Sequence, residues 1–101
     1  MKISMVETKC EVKSTSLFNK QLKKIFKQNI NLDELKQVIF KLANMEELSE
    51  KYRNHSLINN KTYKDCYECH IKPDLLLIYK YENDKIVLVL IAIGSHSELF
   101  R

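Results

Sequence analysis

Two apolar runs in the second half of the chain restrict its fold more than any other feature. Residues 75–81 (LLLIYKY) and 86–93 (IVLVLIAI) have the length and residue types of β-strands, and the polar residues 82–85 form a turn between them. Just upstream, residues 66–71 alternate between the two faces of a third strand. We predict a three-stranded antiparallel meander, in which Pro73 lies between two strands, where its missing N–H group does little harm.

The first half of the chain has a helical period instead. Apolar residues from Leu17 to Phe26 recur at helical spacing, and a lysine stripe fills the opposite side of this predicted helix. The stripe consists of Lys20, Lys23, Lys24 and Lys27. Ser14 or Ser16 is the candidate N-cap. The lysines form either a solvated face or a contact surface for RNA or a protein partner.

A second predicted helix starts at Asn31, with Glu34 placed three residues later as in a capping box, and ends near Asn44. A short strand is expected within residues 5–13. Strand, two helices and meander together predict an α+β fold, with the two N-terminal helices packed on one face of a small antiparallel sheet. Because 101 residues cannot supply two separate cores, residues 1–101 are expected to form a single domain.

The charge and hydropathy of the chain exclude several classes of protein. No apolar run reaches the roughly 18 residues of a membrane helix, and Glu7 falls where a signal peptide would need its apolar stretch. We therefore expect a cytoplasmic protein with reduced thiols and no membrane partner. With 17 Lys and Arg against 13 Asp and Glu, the net charge of +4 would attract RNA or an acidic protein. Only Arg53 and Arg101 are arginines, which limits bidentate phosphate contacts.

Residues 66–70 (CYECH) match the C-x-x-C-H pattern of c-type haem attachment. We reject haem, because such attachment belongs to exported proteins and because residues three apart on a strand face opposite ways. The same geometry disfavours a disulfide or a shared zinc site for Cys66 and Cys69. Since Cys10 is isolated in the sequence, we expect three free thiols, no bound metal and no cofactor.

All three histidines lie in the second half of the chain, at predicted strand ends or in loops. His55 follows a polar run, His70 ends a strand, and His96 follows the last strand. Strand ends and loops are where a sheet exposes functional groups. If the meander forms, His70, Asp74 and His96 lie near one rim of the sheet. Placement alone also leaves open the alternative of three unrelated surface histidines.

Three segments of the chain together resemble the YafQ branch of the RelE-type toxins, the ribonuclease halves of bacterial toxin–antitoxin pairs. Residues 52–57 (YRNHSL) are similar to the Y-x-D-H-x-L segment of that family. Residues 68–79 (ECHIKPDLLLIY) and 94–100 (GSHSELF) carry the other two motifs in the same order. The likeness extends from about Leu17 to Phe100 and implies the RelE-like fold, in agreement with the fold predicted from the residue pattern.

The resemblance also implies a function. It implies cleavage of mRNA, in this branch usually on the ribosome, by attack of a ribose 2′-OH on the adjacent phosphate, without a metal and under control of a cognate antitoxin. Histidine suits both proton transfers, since its pKa lies near neutrality. The residues that match the acid–base set of the family are His55, His70, Asp74 and His96, of which we assign His96 as the acid. Phe100 matches the C-terminal aromatic residue, which can stack on a base.

The chain departs from the family pattern at several places, three of which are single residues of the motifs or the last strand. Tyr67 stands where arginine is common, Leu75 where tryptophan is common, and Ala92 or Ile93 where a basic residue is common. Loss of a fixed guanidinium near the phosphate would weaken transition-state stabilisation. The candidate replacements, and hence the candidate RNA-binding lysines, are Lys61, Lys64 and Lys72. The departures leave an alternative function open, a catalytically weak RelE-fold module that retains antitoxin or ribosome contact.

Overall fold

One mixed β-sheet organises the chain in a computed structural model that describes residues 8–100. The strands are β1 (Glu11–Ser14), β2 (His55–Ser56), β3 (Tyr67–Lys72), β4 (Leu75–Glu82) and β5 (Val87–Gly94), in the spatial order β1-β5-β4-β3-β2. The helices are α1 (Ser16–Lys27), α2 (Asp33–Ala43) and α3 (His96–Leu99), with a 3₁₀ turn at Glu50–Tyr52. Within residues 8–100, no helix combines the length and the hydrophobicity needed to cross a membrane.

The three longest strands form the predicted antiparallel meander. β3 pairs with β4, and β4 pairs with β5, both in antiparallel orientation. The predicted polar turn between β4 and β5 contains Asn83, Asp84 and Lys85, whose φ angles of 53°, 55° and 70° are left-handed. Asn and Asp tolerate this region because their short side chains can bond the local backbone. Pro73 lies in the turn between β3 and β4, as predicted.

The sheet differs from the prediction at its first strand, because it is mixed rather than strictly antiparallel. β1 lies beside β5 and runs parallel to it, with Glu11 opposite Val87 and Ser14 opposite Leu90. A parallel neighbour needs a long crossover connection, which α1, α2 and the rest of the chain before β5 provide. β1 overlaps the strand predicted within residues 5–13 only at residues 11–13. Residues 8–10 are not in a strand, and residues 5–7 lie outside the described chain.

The helix starts also differ in detail from the predicted caps. Thr15, rather than Ser14 or Ser16, caps α1, since its Oγ1 accepts a hydrogen bond from the Phe18 N–H at 2.9 Å. Leu32, rather than the predicted Asn31, is the N-cap residue of α2 and makes no side-chain capping bond, although Oδ1 of Asn31 accepts from the Asp33 N–H at 2.8 Å. The predicted capping box with Glu34 does not form, because that carboxylate instead accepts a hydrogen bond from the Tyr52 hydroxyl at 3.0 Å. α2 ends at Ala43, with Asn44 as its C-cap, in agreement with the prediction.

The sheet carries a buried core on each face. α1 and α2 cover one face, as predicted, and Phe18, Leu35 and Leu77 are among its fully buried side chains. The other face carries a smaller cluster that α3 and the segment between β2 and β3 cover. Its buried members are Tyr63, Cys66, Leu76, Ile78, Ala92 and Leu99. Because side chains alternate along a strand, the even-numbered residues of β3 up to His70 share this second face.

Two phenylalanines on α1 test this division between core and surface. Phe18 is 1% exposed and Phe26 is 70% exposed. Phe18→Ala is expected to lower the free energy of unfolding by about 3–5 kcal/mol, through lost apolar burial and a residual cavity. Phe26→Ala, the matched control, is expected to change it by less than about 0.5 kcal/mol. Urea titration followed by circular dichroism measures both values, and equal losses would contradict the assignment of the core.

Candidate active site

The first half of the candidate site is a buried carboxylate between two imidazoles. Glu68 on β3 is only 6% exposed. Its Oε1 lies 3.1 Å from Nε2 of His70 and 3.6 Å from Nε2 of His55. The positions follow from the strands, since His55 on β2 pairs with Glu68 and His70 lies two residues further along the same face of β3. A buried carboxylate needs such partners, because leaving it unpaired would carry a large desolvation cost.

The second ring nitrogen of His55 has a defined partner as well. Nδ1 lies 2.7 Å from the backbone oxygen of Arg53. Because a carbonyl only accepts hydrogen bonds, Nδ1 carries a proton and Nε2 is the nitrogen that gains or loses one. The His55 side chain is 52% exposed, whereas that of His70 is 19% exposed. His55 therefore offers a solvent-accessible proton acceptor, and His70 is the more enclosed partner of Glu68.

The second half of the site consists of α3 and the turn between β3 and β4. His96 is the first residue of α3, and its backbone N–H donates to Oδ1 of Asp74 at 3.3 Å. The rings of His96 and Phe100 lie 5.0 Å apart between centroids. Tyr63 makes an edge contact with Phe100 at 5.6 Å. An exposed imidazole and a half-buried aromatic ring thus stand side by side at the end of the meander.

α3 has only four residues, and Glu98 fixes it to the rest of the fold. Ser95 and Glu98 form a capping box, in which Oε1 of Glu98 accepts from the Ser95 N–H at 2.9 Å. Its Oε2 pairs with Nζ of Lys24 on α1 at 2.9 Å. The Ser95 backbone N–H first, and then Lys24, lower the pKa of Glu98 to about 2. A Cβ at Gly94 would lie 3.1 Å from Oε1 of Glu98, so glycine permits this close approach.

Both halves of the site lie on the sheet face opposite α1 and α2, which we call the histidine face. In the register of the sheet, His70 pairs with Leu76, and Leu76 pairs with Gly94. Neighbouring strands are about 4.8 Å apart, so the backbones of His70 and Gly94 are separated by roughly 10 Å. The structure therefore places His70, Asp74 and His96 near one rim of the sheet, as predicted. Asp74 contacts His96 directly, while His55 and His70 meet at Glu68.

The predicted RNA-binding lysines are more dispersed. Lys61 and Lys64 are exposed on the segment between β2 and β3, and the half-buried Lys72 ends β3. The lysine stripe on α1 is exposed as well, but Lys24 is engaged by Glu98.

Two of the departures from the family pattern lie away from the histidine face. Tyr67 stacks on Tyr79 with centroids 5.5 Å apart, and Tyr79 belongs to the core beneath α1 and α2. Leu75 is buried in the same core. Ala92 is buried in the smaller cluster beneath α3. In this chain position 67 therefore faces the helices, so the expectation that Tyr67 removes a cation from beside the histidines does not apply.

Glu68 and the ion pair between Lys24 and Glu98 are features of the site that were not predicted from the sequence. Glu68 alternates with His70 along a strand, so a spacing of two residues could have placed both on one face. The pair of Lys24 and Glu98 joins residues 74 positions apart, and nothing local in the sequence indicates it.

The three cysteines are free thiols. Cys66 belongs to the cluster on the histidine face and Cys69 to the core on the helix face, as the strand geometry predicts. Burial raises the pKa of Cys69 to about 12, which keeps this thiol protonated near neutrality. In the part of the chain from residue 8 to residue 100, no group of three or more His, Cys, Asp or Glu side chains has an arrangement suited to a metal ion.

The chain matches one known protein family and several solved structures. Residues 10–101 match the family described as bacterial toxin of type II toxin-antitoxin system, YafQ. A metal-bound toxin from Helicobacter pylori is 40% identical, with 90% of this chain and 99% of that chain covered and a TM-score of 0.82. YafQ from Escherichia coli is 28% identical, with coverages of 91% and 99% and a TM-score of 0.80. The E. coli DinJ–YafQ complex gives 29% identity, the same coverages and a TM-score of 0.78. Among curated proteins, none matches this chain.

The tether between α3 and α1 leads to a local prediction. Glu98→Gln removes the ion pair and weakens the capping box, so the amide protons of Leu99 and Phe100 should exchange faster with solvent. Because the pKa of Glu98 is lowered, the tether is complete above about pH 4.3 and is lost as the pH falls towards 2. Hydrogen exchange measured by NMR tests this.

The matched control for this experiment is Glu47→Gln, which changes an exposed glutamate outside the site. The global free energy of unfolding should change by less than about 1 kcal/mol in Glu98→Gln, since the ion pair is exposed. Unchanged exchange at Leu99 and Phe100 would show that α3 does not depend on the tether.

Proposed function

This chain belongs to the YafQ family of toxins of bacterial type II toxin–antitoxin systems, and we propose that it is an endoribonuclease that cleaves mRNA on the ribosome. The proposed reaction is metal-independent acid–base catalysis, in which a ribose 2′-oxygen attacks the adjacent phosphorus and the 5′-oxygen leaves. The observation that carries this proposal is the pair of imidazoles on one buried carboxylate, on the same sheet face as a third histidine.

His55 is the proposed proton acceptor. Its Nδ1 donates to the Arg53 carbonyl, and Nε2, which lies 3.6 Å from Oε1 of Glu68 on an exposed ring, can take the 2′-hydroxyl proton. The imidazolium that forms lies next to the carboxylate of Glu68, which stabilises the positive charge. His70, held on the same carboxylate, contributes positive charge towards the phosphate when protonated. The 2′-oxygen thus loses its proton as its bond to phosphorus forms.

His96 is the proposed acid, which protonates the 5′-oxygen as the bond from phosphorus to that oxygen breaks. Its exposed position at the start of α3 leaves the ring accessible to the leaving group. Asp74 acts by holding the backbone of His96 in place. Phe100, supported by Tyr63, offers a face on which a base can stack. Lys61, Lys64 and Lys72 are the proposed contacts for RNA phosphates.

An antitoxin is the proposed partner, since a related solved structure is a complex of YafQ with DinJ. The outer surface of α1 suits an acidic protein, because Lys20, Lys23 and Lys27 are exposed there. Leu17 and Phe26 are 46% and 70% exposed on the same helix and provide apolar anchors. Charge would mainly speed the encounter, and the apolar side chains would supply the affinity.

A binding module on the same fold that cleaves RNA poorly is the alternative. The scarcity of guanidinium groups favours it, since Arg53 is the one arginine within residues 8–100. Such a module would keep antitoxin or ribosome contact without efficient cleavage. It predicts no growth inhibition that depends on the histidines.

Replacement of the proposed acid tests the function. His96→Ala is expected to lower the rate of mRNA cleavage by about 10²- to 10⁴-fold, the usual contribution of a general acid. The fold should persist, because the ring lies on the surface. Mapping of RNA ends in a ribosome-containing translation reaction measures the rate, with Ser97→Ala as the control on the same helix. Equal cleavage by His96→Ala and wild type would remove His96 from the mechanism, and no cleavage by wild type would favour the alternative.

A further inference from the structure

A cleft at the β2–β3 edge of the sheet lies between the 3₁₀ turn, α2 and the end of β3, and we propose that it binds a phosphate of the RNA that flanks the one cleaved. It measures about 330 Å³ and is lined by residues 51–53, residues 70–73 and Glu34. His70 therefore belongs both to the candidate active site and to the wall of this cleft. The inference rests on the proposed ribonuclease function and adds Arg53 to the substrate contacts.

The charges in the cleft leave two cations available for a ligand. Lys51 pairs with Glu34, with Nζ 3.3 Å from Oε2, and Nζ also stands 4.9 Å from the centre of the Tyr52 ring. The Tyr52 hydroxyl, then Lys51 and last Lys72 lower the pKa of Glu34, so this carboxylate stays ionised. It pairs directly with Lys51 and acts on Lys72 only from beyond ion-pair distance. Across residues 8–100, no carboxylate lies at ion-pair distance from Arg53 or Lys72. An anion is the ligand that this imbalance favours.

The backbone that carries Arg53 is fixed at several points. Arg53 ends the 3₁₀ turn with a left-handed φ of 48°, and its carbonyl oxygen accepts a hydrogen bond from His55. The next residue, Asn54, accepts a hydrogen bond at 2.6 Å from the hydroxyl of the buried Tyr79. The guanidinium of Arg53 thus projects from a segment that also orients the proposed proton acceptor. A phosphate bound by Arg53 would be held at a set position relative to His55.

Lys72 reaches the cleft through an irregularity in β3. The register shifts between His70 and Lys72, so that His70 pairs with Leu76 while Lys72 pairs with Leu75. Such bulges redirect side chains and are common beside active sites. Here the bulge separates the direction of Lys72 from that of His70 and brings Lys72 into the cleft wall. A planar guanidinium from one side and an ammonium from the other suit the tetrahedral oxygens of a phosphate.

RNA is favoured over an acidic peptide as the ligand. Tyr52 and Ile71, the large apolar residues of the cleft wall, are only 6% and 3% exposed, so neither side chain is available to anchor a protein segment. The position of the cleft also matters, because an RNA strand that crosses the histidine face would pass His70 to reach it. The cleft can therefore place the cations of Arg53 and Lys72 beside His70.

The test compares a double variant, Arg53→Gln with Lys72→Gln, with the matched pair Lys13→Gln and Lys41→Gln, two exposed lysines outside every site described above. Fluorescence anisotropy with a short 2′-O-methyl RNA, which cannot be cleaved, measures binding as a function of salt. The double variant should bind about tenfold or more weakly. The slope of log affinity against log salt should fall by about 0.7, for the one phosphate contact that is lost. The matched pair should keep the wild-type slope.

Replacement of Arg53 alone by lysine distinguishes the contribution of positive charge from that of the guanidinium geometry. Arg53→Lys should restore most of the salt slope but only part of the affinity, since a lysine cannot form the bidentate contact. Cleavage in the ribosome-containing reaction should show a raised KM with kcat within a few-fold of wild type.

The outcomes distinguish this inference from the function on which it rests. If wild type cleaves and the Arg53→Gln, Lys72→Gln variant keeps wild-type KM and salt slope, the phosphate site is wrong and the ribonuclease stands. If the variant cleaves normally but loses affinity for the antitoxin, the cleft belongs to the protein partner, which also overturns the inference. If wild type neither binds the RNA nor cleaves mRNA, the proposed function falls and the RNA site falls with it.

Discussion

The carboxylate of Glu68 is the group on which the histidine face depends. It is buried in the sheet, and its Oε1 is shared by His55 and His70. Burial would make a lone carboxylate costly, so the two imidazoles and the carboxylate stabilise one another's positions. The His55 ring is held from its other side by the Arg53 carbonyl, which fixes the nitrogen available for proton transfer. Without Glu68, the His55 and His70 rings would lose the carboxylate that both of them contact.

One face of the sheet carries the larger hydrophobic core, and the other face carries the candidate active site. The larger core lies under α1 and α2 and contains most of the fully buried side chains. The smaller cluster under α3 leaves room for polar groups at its margins, where His96 and Phe100 stand on a short helix. The pair of Lys24 and Glu98 ties that helix to α1. The accessible side chains of His96 and Phe100 are thus carried by a short helix that an ion pair joins to α1.

Local patterns in the sequence predict most of the fold, and non-local contacts account for what they miss. The strand period before and after Pro73 is enough to predict the meander, because each strand is a local run of residues. The parallel placement of β1 beside β5 is not predictable in this way, since it depends on a pairing between distant segments. His55, His70, Asp74 and His96 were found through their resemblance to family motifs. Their grouping around Glu68 and α3 required the register of the sheet.

The central claim is that one buried carboxylate organises two histidines for acid–base cleavage of RNA. The most direct measurement is the pH dependence of mRNA cleavage in wild type and in Glu68→Gln, a variant of nearly equal size without the charge. Wild type should show a bell-shaped profile, because one histidine must be unprotonated and another protonated. Glu68→Gln should retain its circular dichroism spectrum and lose about a hundredfold in rate across the profile. A Glu68→Gln variant with the wild-type rate and the wild-type profile would contradict the claim.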